Sequence, residues 1–97
     1  MENLIRSFLI PKQKILLINN GKTKYYAVSI PAKFNDFLPN GVYYARVLTN
    51  DKVYEVGFRK IWARGTRKIL VLPKALSNIW DELIRNNERV SIILEKL

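Results

Sequence analysis

The 97-residue sequence predicts a mainly β fold with short helices, an α+β class, in which two β-β-α-β repeats build a small barrel. Three observations support this prediction. Short apolar runs of strand type alternate with turn signals, two of these runs end in Ile-Pro or Leu-Pro, and apolar residues at helical spacing follow each proline. The length suits one domain with one core, which we take as residues 1–97.

The first repeat spans residues 14–48. Its elements are a strand, a tight turn, a return strand, a proline, a short helix and a final strand: Lys14–Ile18, Asn19–Lys22, Thr23–Ile30, Pro31, Phe34–Leu38 and Val42–Leu48. The turn is favoured because Asn and Gly tolerate positive φ. Before this repeat, residues 1–11 form an N-terminal arm, either one helical face or a strand, which Pro11 ends.

The second repeat spans residues 53–95 and follows the same order. Its elements are Val53–Phe58 with Lys60–Ala63 as a continuation, the turn Arg64–Thr66, Arg67–Leu72, Pro73, a helix and the closing strand Arg89–Leu94. Gly57 indicates a bulge in its first strand. The helix has the clearer apolar face: Leu76, Ile79, Trp80, Leu83 and Ile84.

The two repeats align at their prolines, where Ile30-Pro31-Ala32-Lys33 matches Leu72-Pro73-Lys74-Ala75. One such unit cannot bury its own apolar face. Two units, from one chain or from two, close a barrel and leave no long open edges. The sequence is therefore compatible with a monomer that imitates a dimer, and with a homodimer.

Charge points to a polyanionic partner. The chain has 17 Lys and Arg against 8 Asp and Glu, a net charge of +9. This favours nucleic acid first and an anionic membrane second, with a basic domain that has no such partner as the plain alternative. Without Cys or His, the sequence excludes thiol nucleophiles, Cys/His zinc sites and imidazole catalysis. Lacking a recognisable signal peptide or apolar span, it predicts a cytoplasmic protein with no membrane partner.

Residues 65–76, GTRKILVLPKAL, resemble the core motif of the AbrB/SpoVT/MazE swapped-hairpin family, and residues 21–34 resemble it more weakly. The resemblance implies an interlaced swapped-hairpin β-barrel that binds DNA as a dimer, with Lys and Arg of the turns and helix starts facing the duplex. By position, these residues are Arg64, Arg67 and Lys74 in the second repeat and Lys22, Lys24 and Lys33 in the first. The chain departs from the family in carrying two motifs and in lacking the usual Gly-Asp/Glu before the last strand.

The candidate DNA-binding residues follow from the basic stretches themselves. Residues 57–76 contain no acid and residues 3–35 contain none either. The candidates are Arg59, Lys60, Arg64, Arg67, Lys68 and Lys74 in the second repeat, and Lys22, Lys24 and Lys33 in the first. Lys and Arg that neutralise phosphates make affinity strongly salt-dependent, and Arg64 and Arg67 can also donate two hydrogen bonds to a guanine edge. The alternative is that these are solvated hairpin tips.

Aromatic residues add one further candidate. Tyr25-Tyr26 and Tyr43-Tyr44 place one ring on each face of a strand, so half of them are expected outside the core. Trp62, between Lys60 and Arg64, is a candidate for base stacking, although packing on the sheet is the more common fate of such a residue. Trp80, on the apolar helical face, is predicted to lie in the core.

The acids form no evident catalytic couple or metal site, and neither a nucleophile elbow nor a phosphate-binding glycine loop is present. We therefore expect a protein that is not an enzyme and uses no metal or cofactor. The first hypothesis is a small duplex-DNA-binding protein, a transcriptional regulator or a chromatin-like, nucleoid-associated protein. The alternative is an RNA-binding structural protein, such as a ribosome-associated component. A third class is an interaction module, such as the antidote half of a toxin–antitoxin pair.

Overall fold

The computed structural model describes residues 7–34, 38–64 and 67–96. In these ranges the chain forms strands, one α-helix and two 3-10 turns. The strands are β1 (Ser7–Gln13), β2 (Ile15–Asn19), β3 (Lys24–Ile30), β4 (Gly41–Leu48), β5 (Val53–Arg64), β6 (Arg67–Val71) and β7 (Val90–Lys96). The helix α1 is Ser77–Arg85, and the 3-10 turns are Ala32–Phe34 and Lys74–Leu76. The predicted mainly β class is confirmed.

All seven strands belong to one antiparallel sheet of order β1-β7-β4-β5-β6-β3-β2. The two edge strands, β1 and β2, are consecutive in the chain and only Lys14 lies between them. A flat sheet with six gaps of ~4.8 Å would place its edges about 29 Å apart, which one residue cannot span. The sheet therefore curls into a half barrel, and its concave face encloses the core.

Strict alternation on the central strands explains this core. In β4, Tyr43, Ala45 and Val47 are buried, and the residues between them lie on the outer face. Val90, Ile92 and Leu94 of β7 alternate in the same way. Because side chains of a strand point to opposite faces in turn, these runs place an apolar layer inside the curl. Fully buried Ile10, Ile30, Ile61 and Leu70 complete it from the flanking strands.

Helix α1 covers one opening of the half barrel. Trp80 is fully buried, as predicted, and its indole N–H donates to the carbonyl of Pro73 at 3.0 Å. Asn87, with a φ of 54°, ends the helix, and the amide of Glu88 donates back to the Leu83 carbonyl at 2.9 Å. This is the left-handed helix stop that the Asn-Asn pair allows. With nine residues, α1 is too short to cross a membrane, and no other helix of the described ranges could do so.

One local prediction needs correction. Pro11 does not end the first element, because β1 runs through it to Gln13. Proline is tolerated there because β1 is an edge strand with a bulge between Ile10 and Gln13. The predicted first helix, Phe34–Leu38, lies mostly outside the described residues, because residues 35–37, with Phe37, are not among them. At its described ends, the 3-10 turn Ala32–Phe34 precedes it and the Leu38 amide donates to the Phe34 carbonyl at 3.0 Å.

Candidate nucleic-acid interface

The basic residues collect at the two ends of one strand pair. β3 and β6 run antiparallel, with Ala27 opposite Val71 and Ile30 opposite Lys68. The start of β3 therefore lies beside the end of β6, and the end of β3 beside the start of β6. Each end combines the tip of one hairpin with the residues that follow the proline of the other repeat.

We call these two places the lysine end and the arginine end. The lysine end consists of Lys22, Lys24 and Lys74, and the arginine end of Lys33, Arg67 and Lys68. From Lys24 to Ile30 there are six residue steps, and Ile30 pairs with Lys68, one step from Arg67. At ~3.3 Å per step, the ends lie about 23 Å apart along the strands.

At the lysine end the three side chains point into solvent. Lys22 lies in the turn with Gly21, whose φ is +95°, as the Asn-Asn-Gly signal predicted. Lys24 is the first residue of β3, and Lys74 begins the 3-10 turn after Pro73. All three are exposed, and none makes a side-chain hydrogen bond or salt bridge to another described residue.

The side chains of the arginine end make more contacts with the rest of the protein than those of the lysine end. Arg67 is exposed on the outer face, and its Nη1 donates to Ser29 Oγ at 3.0 Å. Lys68, half-buried, donates from Nζ to the Leu38 carbonyl at 2.7 Å, so its ammonium already has a partner inside the protein. The Lys33 ammonium lies 5.5 Å from the ring centroid of Phe34. Arg67 and Lys33 therefore remain directed outward, while Lys68 mainly anchors the loop after β3.

The remaining candidates lie along β5. Lys60 and Trp62 are exposed on the same outer face as Arg67, and Trp62 sits opposite Ile69. Arg59, half-buried, belongs to the other face and pairs with Tyr43. The backbone of Arg64 pairs with Arg67. The side chain of Arg64 and the turn residues 65–66 lie outside what the structure describes.

The tyrosine pairs divide between the two faces. Tyr43 is buried and donates its hydroxyl to the Pro39 carbonyl at 2.7 Å, whereas Tyr44 lies on the outer face. Tyr26 packs against the core and donates to the Asp81 carboxylate, which raises the pKa of the Tyr26 hydroxyl. Tyr25 is half-buried on the outer face. The protein itself thus binds the hydroxyls of Tyr26 and Tyr43, whereas Tyr25 lies on the outer face of β3 and Trp62 on the outer face of β5, beside β6.

Acidic residues pair elsewhere, on the outer face of β4, β5 and β7. Arg46 lies between Glu55, 3.2 Å from its Nε, and Glu95, 3.4 Å from its Nη1. The hydroxyl of Tyr44 donates to Glu55, and this hydrogen bond, together with Arg46, lowers the pKa of the Glu55 carboxyl. Among the described residues, Arg46 is the one basic residue within 4 Å of a carboxylate. The basic side chains of the two basic ends therefore have no described carboxylate within 4 Å.

No metal-binding cluster accompanies these basic ends in the described ranges. No three side chains of the His, Cys, Asp and Glu types converge there to hold a metal. A cleft of about 220 Å³ between α1 and the turn after β4 has a lining that includes Asp51, Lys52 and Glu82 and none of the residues of the two basic ends.

Comparison of the chain with protein-family models, with curated protein sequences and with solved structures gives no match.

One residue of this surface was missed by sequence reasoning. Ser29 accepts a hydrogen bond from Arg67, the one that Arg67 makes to a described side chain, although 38 residues separate them. No sequence signal identifies it, because the contact depends on the register between β3 and β6.

Proposed function

We propose that this protein binds duplex DNA through the lysine end and the arginine end, as a small transcriptional regulator or chromatin-like protein. The observation that carries the proposal is the placement of outward-directed basic side chains at both ends of one strand pair. Lys and Arg that have no described carboxylate within 4 Å can replace the counterions of a phosphate backbone. Arg67, whose guanidinium can donate two hydrogen bonds to a guanine edge, is the residue we assign to base contact.

We further propose that the half barrel is a two-repeat swapped-hairpin fold, related to the AbrB/SpoVT/MazE family. The pairing pattern supports it, because β2 pairs with β3 as β5 pairs with β6, and β1 pairs with β7 as β5 pairs with β4. In this scheme β1 and β2 together correspond to the single long strand β5. One chain then supplies what two chains supply in a dimer.

Two bulges strengthen the correspondence between these long strands. The register of β1 with β7 shifts between Ile10 and Gln13, where Lys12 has a φ of 56°. The register of β4 with β5 shifts beside Gly57, whose φ is 91°. Each bulge precedes the point where the strand changes partner, at Ile15 in the first repeat and Ile61 in the second. A bulge bends a strand, which a change of partner requires.

The test of function is a salt-titrated binding assay with random-sequence duplex DNA, duplex RNA and single-stranded DNA. The test variant is Lys24→Gln/Lys74→Gln. Its matched control is Lys52→Gln/Arg85→Gln, which also removes two exposed positive charges but outside the basic ends. Wild type should bind duplex DNA with an affinity that falls steeply between 50 and 200 mM salt. In the test variant, the slope of log affinity against log salt should decrease by about two.

The control variant should retain the wild-type slope. Equal slopes for the test and control variants would remove the basic ends from the interface. A preference for duplex RNA or single strands would favour the RNA-binding alternative, for which Trp62 and Tyr25 supply rings for stacking. No binding to any of the three at 50 mM salt would overturn the proposal.

A further inference from the structure

The two ends of the strand pair are not equivalent on the outer face. The antiparallel register places Val28 opposite Leu70. A two-fold axis through this pair relates Ser29 to Val71 and Arg67 to Tyr25. The residues at the lysine end that correspond to Arg67 and Ser29 are thus Tyr25 and Val71, and no side-chain hydrogen bond joins them.

We infer that, within the proposed DNA-binding function, a single chain recognises one half-site by sequence and holds the other half-site only through phosphates. Arg67 recognises the base, and Ser29 is the residue that positions its guanidinium. The lysine end, which has no arginine, supplies point charges that grip phosphates without distinguishing bases.

The hydrogen bond to Ser29 explains why Arg67 is suited to this role. Nη1 donates to Ser29 Oγ at 3.0 Å, which fixes the guanidinium against the outer face. The remaining N–H groups, on Nη2 and Nε, make no hydrogen bond to a described residue and stay available for a planar, two-point contact. Because the guanidinium is held in place before binding, less rotamer entropy is lost when it contacts the base.

The lysine end lacks each of these features. Tyr25 has no guanidinium, and Val71 has no hydroxyl that could hold one. Lys22, Lys24 and Lys74 each carry a flexible ammonium with no hydrogen-bond partner among the described side chains. Such a group binds the phosphates of DNA of any sequence.

The experiment is selection from a random duplex library, followed by affinity measurements on the selected site and on a scrambled duplex. Sedimentation of the complex gives the number of bound chains. We expect, for each bound chain, one enriched half-site containing guanine beside a flank without base preference. The variant Arg67→Lys keeps the charge but loses the fork, and it should lower the preference for the selected site about ten- to hundred-fold. Its affinity for scrambled DNA should stay near wild type.

The variant Ser29→Ala tests the positioning role. It should weaken the preference for the selected site but leave the salt slope and the thermal midpoint unchanged, whereas Ser29→Thr, which retains the hydroxyl, should restore the preference. A merely structural role of Ser29 would lower the thermal midpoint and affect both duplexes equally. That result would overturn the assignment.

Transplanting the contact gives the sharpest result. The variant Tyr25→Arg/Val71→Ser places an Arg and Ser pair at the lysine end, and it should select a palindromic site in which both halves are enriched. If wild type already selects such a palindrome per bound chain, or binds DNA with no base preference, the inference is wrong although the proposed function stands. If wild type binds no duplex DNA, the proposed function itself fails.

Discussion

The outer surface of the sheet uses arginine in two different ways. On the face of β4, β5 and β7, Arg46 is held by two carboxylates, Glu55 and Glu95, and its guanidinium lies 4.9 Å from the ring centroid of Tyr44. On the face of β3 and β6, Arg67 contacts a neutral hydroxyl, that of Ser29. The first arginine is neutralised within the fold, and the second keeps its full charge directed outward.

This difference shows why net charge alone does not locate an interface. A charge of +9 could be spread evenly over the surface, where it would favour solubility without a defined contact. Among the described residues, the carboxylates that pair with a basic side chain gather around Arg46, whereas the basic side chains at the ends of β3 and β6 have no such partner. The comparison of the two faces, more than the total charge, supports a polyanion as the partner.

The largest effect on stability is expected when the core beneath both faces loses a large buried side chain. Trp80 is fully buried, and its ring meets Tyr54 edge to face at 6.2 Å between centroids. Trp80→Ala should therefore lower the free energy of unfolding by about 3–5 kcal/mol, as measured by urea denaturation. Trp62→Ala is the matched control, because Trp62 is 44% exposed, and its loss should cost clearly less. Equal costs would mean that the outer face is part of the core.

The strands were predictable because their signals are local. Alternation in β4 and β7, the turn at Gly21 and the bulge at Gly57 each depend on a few neighbouring residues. The prediction that Pro11 ends the first element was wrong because it also relied on a local signal. Proline normally ends an element, but it is tolerated in an edge strand, and which strand forms the edge depends on the whole sheet order.

The sequence composition predicted which basic residues form the two ends, but it did not predict their positions in the fold. The sequence identified Arg67, Lys68 and Lys74 as one cluster because they are close in the chain. In the structure Lys74 lies at the opposite end of β6 from Arg67, and Lys68 is bound to the Leu38 carbonyl. The contact of Lys68 depends on long-range packing, which short motifs do not encode, whereas the separation of Lys74 from Arg67 follows from the strand between them.

An intermediate effect is expected when one charge is removed from each face. Arg67→Gln should weaken duplex DNA binding and reduce the salt slope by about one, because one phosphate or base contact is lost. Arg46→Gln removes the same charge from the face of β4, β5 and β7, which we call the paired face because Arg46 pairs there with Glu55 and Glu95. It should leave the salt slope unchanged but lower the thermal midpoint slightly, since Glu55 and Glu95 lose their partner.

Fluorescence anisotropy at several salt concentrations, with a thermal melt of each variant, measures both quantities. The proposed difference between the two faces is wrong if Arg46→Gln reduces the salt slope as much as Arg67→Gln does. It also fails if neither variant changes the slope, because no charge on either face would then contact the DNA.

The smallest effect concerns the pH dependence of the paired face. The pKa of Glu55 is lowered by the Tyr44 hydroxyl and by Arg46, so this carboxylate stabilises the fold above its ordinary pKa of 4.5, and the contribution is lost as pH falls through the folded value. The pKa of Tyr44 is raised from 10.0, chiefly by its hydrogen bond to Glu55, so its contribution is present below pH 10 and is lost on further alkalinisation.

Urea midpoints between pH 7 and pH 3 should therefore fall more for wild type than for Glu55→Gln, and between pH 9 and pH 11 more for wild type than for Tyr44→Phe. The variant Glu82→Gln, on the exposed side of α1, is the matched control for the acid range and should follow wild type. Both variants of the paired face should bind duplex DNA at pH 7 with the wild-type salt slope, because their residues stabilise the sheet and lie away from the basic ends. A change in that slope would show that the paired face also contacts DNA.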